Sequence, residues 1–245
     1  MNPPFPSVLP AICCILLLGC HTMQSPLPAP TIPPEFLTAV DPTCTQIVVV
    51  QASTISSTAG HLWLLERHLD QWQSTLGPSP VSLGRNGLAW GIGEHSIQRP
   101  ASIPLKREGD KRTPLGVFRI PYAFGEAASV HSNLPYHRMT PHHAGVDDPN
   151  SHHYNQIVDT REVTRDWQSA ESMIPSGGSY RLGLFVTHNP KNRPHSGSCI
   201  FLHLWPTPNE PTSGCTAMSE ETMRLLLEKL HPRARPHLIQ FVAVQ

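Results

Sequence analysis

Two side chains near the C-terminus carry reactive groups in a chemically useful order. His203 lies in Gly197-Ser-Cys-Ile-Phe-Leu-His203-Leu-Trp205, and Cys215 in Thr212-Ser-Gly-Cys215-Thr-Ala-Met-Ser219. A thiol and an imidazole form the smallest set for acyl transfer: nucleophile, base, and later an acid for the leaving group. Gly214 lets the backbone approach an electrophile closely, and the amides of Gly214 and Cys215 are placed to hold an oxyanion. Cys215 precedes a well-signalled helix, whose N-terminal dipole predicts a thiolate rather than a thiol. His203 ends an apolar run that reads as a strand, a rigid element from which a side chain can face a neighbouring loop. Taken alone, a Cys after Gly with an upstream His reads first as a buried structural cysteine and only second as a nucleophile.

A second cluster, His131, His137, His142, His143, His152 and His153, offers the commonest metal ligand. Adjacent histidines project in different directions, and neither an HExxH nor a Cys-x-x-Cys spacing is present. A solvated polar loop is therefore expected, with no metal and no organic cofactor.

Several elements must position these residues. Gln46–Gln51 is β-branched and reads as a strand. Leu62, Leu65, Leu69 and Trp72 recur at helical spacing, which predicts a helix over roughly 60–75 ended by Gly77-Pro78. Short strands are expected near Val81–Leu83, Leu88–Ile92, Gly116–Pro121, Leu182–His188, Cys199–Leu204 and Leu238–Val244. Ser219 to Leu230 reads as a capped helix: Ser219 at its start, Glu220 and Glu221 in its first turn, and Met223, Leu226, Leu227 and Leu230 as its apolar stripe. Loops rich in Pro, Gly, His, Asn and Asp fill 99–155. With 27 Pro and 16 Gly, the chain reads as a mainly β domain with few short helices.

Eighteen basic residues balance eighteen acidic ones, which argues against a nucleic-acid partner. Val8 to Gly19 is nearly all apolar, too short to span a bilayer and consistent with an export signal over 1–20. Leu17-Leu18-Gly19-Cys20 is similar to a lipoprotein box, so that a lipid on Cys20 would tie the chain to a membrane. The Pro-rich stretch 21–43 reads as a semi-extended tether, rising about 3.1 Å per residue where polyproline-like. The catalytic body is expected over 44–245. Beyond the signal and Cys20, Cys44, Cys199 and Cys215 remain. Either Cys44 and Cys199 are bonded, or both are buried free thiols.

The order His, a variable loop, Thr/Ser, one residue, Gly-Cys resembles the signature of the L,D-transpeptidase (YkuD-type) catalytic domain. Lys106-Arg-Glu-Gly-Asp-Lys-Arg-Thr-Pro-Leu-Gly-Val-Phe118 resembles the family segment in which a Thr-Pro-x-Gly turn feeds a strand. Asp147–Ser151 with Tyr154-Asn155, and Asp166–Met173, are similar to blocks of one family branch. The resemblance spans about 45 to 245. It implies Cys215 as nucleophile, His203 as general base and the Gly214–Cys215 backbone as oxyanion site. The chain departs from the family pattern at Ser213, where many members have His, and at Ala217, where many have Arg or Asn. These departures bear on substrate binding.

Thr212, Ser213, Trp205, Asn150 and Tyr154 are candidate substrate contacts, with core packing the alternative for Trp205. Lys106, Arg107 and Asp110 either meet a stem-peptide carboxylate or form a charged surface loop. Arg119 either grips a carboxylate or lies exposed, Asp147 and Asp148 read as turn builders, and Glu171 is given no catalytic role. The resemblance implies an exported enzyme of the cell envelope acting on peptidoglycan stem peptides through a Cys215 thioester passed to an amine; a monomer is expected. Hydrolysis by the same pair, as a carboxypeptidase or amidase, and an inactive wall-binding module are the alternatives.

Overall fold

A computed structural model describes Met1 and residues 29–243. The expected export signal and Cys20 lie outside the described residues. The described residues form fourteen strands and two α-helices. The N-terminal half contributes α1 (Pro34–Thr38), β1 (Gln46–Ala52), β2 (Ala59–His68), β3 (Gln71–Ser82), β4 (Leu88–Trp90), β5 (Thr113–Arg119) and β6 (Ala123–Gly125). There follow β7 (Tyr136–Arg138), β8 (His143–Val146), β9 (Gln156–Asp159), β10 (Ala170–Ser172) and β11 (Leu182–Phe185). The last are β12 (Phe201–Leu204), β13 (Thr216–Met218), α2 (Glu220–Lys229) and β14 (His237–Val242).

Eleven strands build one mixed sheet in the order β4-β5-β14-β1-β2-β3-β13-β12-β11-β6-β7, and three form a small antiparallel sheet, β10-β8-β9. The expected mainly β class is what the structure has. The long strands β1, β2 and β14 bury both faces, as runs such as Ile47-Val48-Val49-Val50 require. Each such side chain removed from water contributes about 1.5–3 kcal/mol. Helix α2 packs Met223, Leu226 and Leu227 inward, with Ser219 Oγ accepting the Thr222 N–H at 3.1 Å as the expected cap.

The helix expected over 60–75 is instead the β2–β3 hairpin, with His68 paired to Gln71 across a two-residue turn at Leu69 and Asp70. Both turn residues have positive φ (47° and 61°), the combination that matches the twist of a tight hairpin. The misleading spacing has a physical cause. Leu62, Trp63, Leu64 and Leu65 are all buried because β2 is central and covered on both sides, so its apolar run carries no two-residue alternation. The expected tether also differs in its second half: Ile32, Phe36 and Val40 are buried in the main core, with Phe36 5.9 Å from the Phe241 ring.

Candidate active site

A turn and a two-strand ladder place the reactive pair. Thr212 to Gly214 turns the chain so that Cys215 stands immediately before β13. Thr212 Oγ1 accepts the Gly214 N–H at 3.1 Å and donates to the Cys215 carbonyl at 2.7 Å; Thr113 Oγ1 donates to the same carbonyl at 3.1 Å. Gly214 has φ +143°, and a β-carbon there would meet the Arg112 carbonyl at 3.2 Å, so glycine is required. Strand β13 runs parallel to β12 with His203 opposite Ala217. Residues two apart on a strand share a face, so Cys215 and His203 emerge on the same side of the ladder, and the small Ala217 leaves room between them.

Both side chains line one cavity of about 460 Å³, together with Thr212, Ser213 and Gly214. His203 Nδ1 lies 2.8 Å from the Leu204 carbonyl. That oxygen can only accept, so Nδ1 carries the proton and Nε2 keeps its lone pair as a base. Burial lowers the His203 pKa to about 4, so the ring is neutral at physiological pH. Cys215 Sγ donates to the Cys199 carbonyl at 3.5 Å and accepts the Phe201 N–H at 3.3 Å. None of the hydrogen bonds among the described residues joins it to His203. Burial pushes its thiol up to about 12; the nearby Glu171 carboxyl adds to this, while the Phe201 N–H and Lys106 oppose it.

The expected helix-dipole activation of Cys215 is not found. The strand β13 separates it from the Ser219 cap, and four extended residues span about 13 Å. A helix dipole acts within about its first turn, so desolvation governs this thiol. The oxyanion assignment changes likewise: the Gly214 N–H is committed to Thr212, and none of the hydrogen bonds of the described residues uses the Cys215 N–H.

Other expected site residues are scattered. Tyr154 is buried outside the cavity wall, its hydroxyl donating to Glu108, which does line the cavity. Asn150 does not reach the cavity; its N–H donates to Asp148 Oδ1 at 3.0 Å and closes the Asx turn that Asp148 makes. Trp205 is half-buried beyond β12 and is not in the lining. Arg119 is exposed and faces Glu94 at 3.8 Å. Cys44 and Cys199 are buried free thiols. Among the described residues no group of three His, Cys, Asp or Glu converges to hold a metal ion.

Lys106, Glu108, Glu171 and Tyr180 also line the cavity, a grouping that the sequence does not signal. Glu171 lies on strand β10. Burial raises its pKa to about 7, and Tyr180 Oη donates to its Oε2 at 2.8 Å, opposing the rise. The Tyr180 ring also stands edge-on to His203 with centroids 5.2 Å apart. No short sequence pattern joins these residues; the small sheet carries Glu171 to the wall of the large one.

A family model for the L,D-transpeptidase catalytic domain (YkuD) matches residues 52–239. No curated protein matches the sequence. Among solved structures, the chain is similar to the helical cell shape determining protein Pgp2 from Campylobacter jejuni, at 12% identity and a TM-score of 0.37. The match covers 82% of this chain and 49% of that one, so the chain spans about half of Pgp2's length.

Proposed function

Because this chain belongs to the L,D-transpeptidase (YkuD) catalytic-domain family, we propose that it is a cysteine acyltransferase of the cell envelope acting on peptidoglycan stem peptides. The supporting observation is that Cys215 and His203 line one cavity, with the Nδ1–H of His203 tied to the Leu204 carbonyl and Nε2 left as acceptor.

In this reading Sγ leaves the Cys199 carbonyl and turns toward Nε2. With the thiol near 12 and the ring near 4, a resting thiolate–imidazolium pair is unfavourable. The proton therefore moves to Nε2 as the carbon–sulfur bond forms. Sγ attacks the carbonyl of residue three in a tetrapeptide stem, the carbonyl electrons pass to oxygen, and the intermediate collapses with loss of the terminal D-Ala. His203 returns its proton to the departing amine. An amine of a second stem then attacks the thioester and restores the thiol. Water in place of that amine gives the hydrolytic alternative. Thr212 and Ser213 line the acyl-donor side of the cavity, and no cofactor takes part. We assign residues 1–20 to export and Cys20 to lipid attachment, with the Pro-rich residues between Cys20 and Ile32 as tether.

Intact-mass spectrometry of the purified chain with disaccharide-tetrapeptide tests this. Wild type is expected to carry an acyl adduct and to release D-Ala, and Cys215→Ala to do neither. Equal inertness of the two proteins with retained wall binding would replace the enzyme by a binding module. The muropeptide product, cross-linked or trimmed, identifies the acceptor.

A further inference from the structure

We propose that Lys106 is a catalytic residue that donates, with the Cys215 N–H, to the oxyanion formed when Cys215 attacks a carbonyl. The inference rests on the reading of Cys215 as nucleophile. A tetrahedral oxyanion in a buried site calls for preorganised donors aimed at it. The turn beside Cys215 supplies one N–H and not two, since the Gly214 amide already serves Thr212 Oγ1 at 3.1 Å. A second donor must come from another element.

Lys106 meets the requirement by position, donor count and rigidity. It lines the cavity, and its Nζ lies 3.8 Å from where a β-carbon on Gly214 would stand. Its stem packs under Gly197, where a β-carbon would meet Cγ at 3.1 Å and Cε at 3.2 Å. An ammonium has three donors. One goes to Asp110 Oδ1 at 2.5 Å and one to the Arg107 carbonyl at 3.1 Å, and the third has no acceptor among the described residues. Asp110 is itself fixed by the Arg107 N–H (2.8 Å) and the Arg112 N–H (2.9 Å), so the ammonium is held before substrate arrives. Arg85 and Lys111 also line the cavity, but both are exposed at its rim. During the step the C–S bond forms, the carbonyl π electrons move to oxygen, and Lys106 donates a hydrogen bond without giving up its proton. When the intermediate collapses the C=O bond returns, and the leaving group takes the proton held by His203.

The test separates attack at a carbonyl from attack at a saturated carbon, where no oxyanion forms. Acetylation of Cys215 by p-nitrophenyl acetate and its alkylation by iodoacetamide are followed by intact mass across a pH series. Wild type, Lys106→Met, Lys106→Met/Asp110→Asn and Cys215→Ala are compared; the double variant removes the charge partner as well, should Lys106→Met alone misfold. Loss of one oxyanion donor is expected to lower the ratio of acetylation to alkylation rates, taken at the same pH, about 10²-fold. Equal losses in both reactions, or acetylation at the wild-type rate, would overturn the role. A neutral ester also removes the carboxylate-binding explanation, which predicts no change here and a raised KM for stem peptide. If the ester acetylates Cys215 while stem peptide does not, the substrate reading falls and Lys106 is judged by the ester ratio alone. If the ester leaves Cys215 unmodified, both fall.

Discussion

Cys215 is held by its surroundings as a thiol. Its Sγ is buried against the Cys199 and Phe201 backbone, and desolvation, aided by the Glu171 carboxyl, outweighs the stabilising contributions of the Phe201 N–H and Lys106. A rise from 9.0 to about 12 lowers the thiolate fraction at neutral pH about a thousandfold. Iodoacetamide is therefore expected to alkylate Cys215 about 10³ times more slowly at pH 7.5 than an exposed thiol, with the rate still rising above pH 10. A rate that saturates below pH 8 would show the activated thiolate that the sequence predicts. The Cys, the His and the glycine between the turn and the nucleophile are all legible as residues. Their ionisation is not, because it depends on burial contributed by segments far away in the chain.

At the scale of elements, the site depends on β12 and β13 lying side by side and on the long hairpin that flanks them. Strand β3 joins β13 through Ser82 and Ala217. The hairpin bends at Gly77, which has φ +98°; a β-carbon there would sit 2.3 Å from the Leu62 carbonyl. Gly77→Ala is expected to cost about 2 kcal/mol or more, seen as a lower urea midpoint, with loss of site order if β13 shifts. An unchanged midpoint would mean that the backbone relaxes freely. Helix α2 was readable because its cap and stripe are local. The β2–β3 hairpin was not, since a central strand buried on both faces shows no alternation and its Leu69-Asp70 turn lacks the usual Asn-Gly signal.

Across the whole molecule, a buried histidine and a half-buried glutamate pull stability in opposite directions with pH. His188 is 2% exposed, stacks on Phe118 at 5.8 Å, and neither ring nitrogen has a hydrogen-bond partner among the described residues. Burial, with a smaller contribution from Lys106, lowers its pKa from 6.5 to about 3. The unfolded chain therefore binds a proton that the folded chain refuses, and this contribution to stability, full above pH 6.5, is lost as pH falls toward 3. Glu171 has the reverse sign. Its folded pKa is raised, so its contribution is full below 4.5 and is lost as pH rises through about 7. His188→Phe keeps a ring on Phe118 and removes the titration. Between pH 7.5 and pH 5 the variant is expected to gain about 2 kcal/mol relative to wild type, read as the difference in urea midpoints. A pH-independent difference would mean that His188 finds a proton partner.

The sequence by itself determined the chemistry on offer and the local elements. A Cys after a required glycine, a His at the end of a strand, the capped helix after Ser219 and the apolar β-branched runs are each encoded within a dozen residues. It also determined the family, whose match over 52–239 agrees with the blocks read from Lys106 to Met173 and around Cys215. Only the tertiary structure decided which groups share the cavity. Lys106, Glu171 and Tyr180 lie about 35 to 110 positions from Cys215, and chain folding rather than spacing brings them together. It withdrew Asn150 and Trp205 from the lining and drew residues 32–40 into the core. The physical reason is range. Turns, caps and propensities act over a few residues, whereas burial and the pKa values it sets depend on every segment packed around a group.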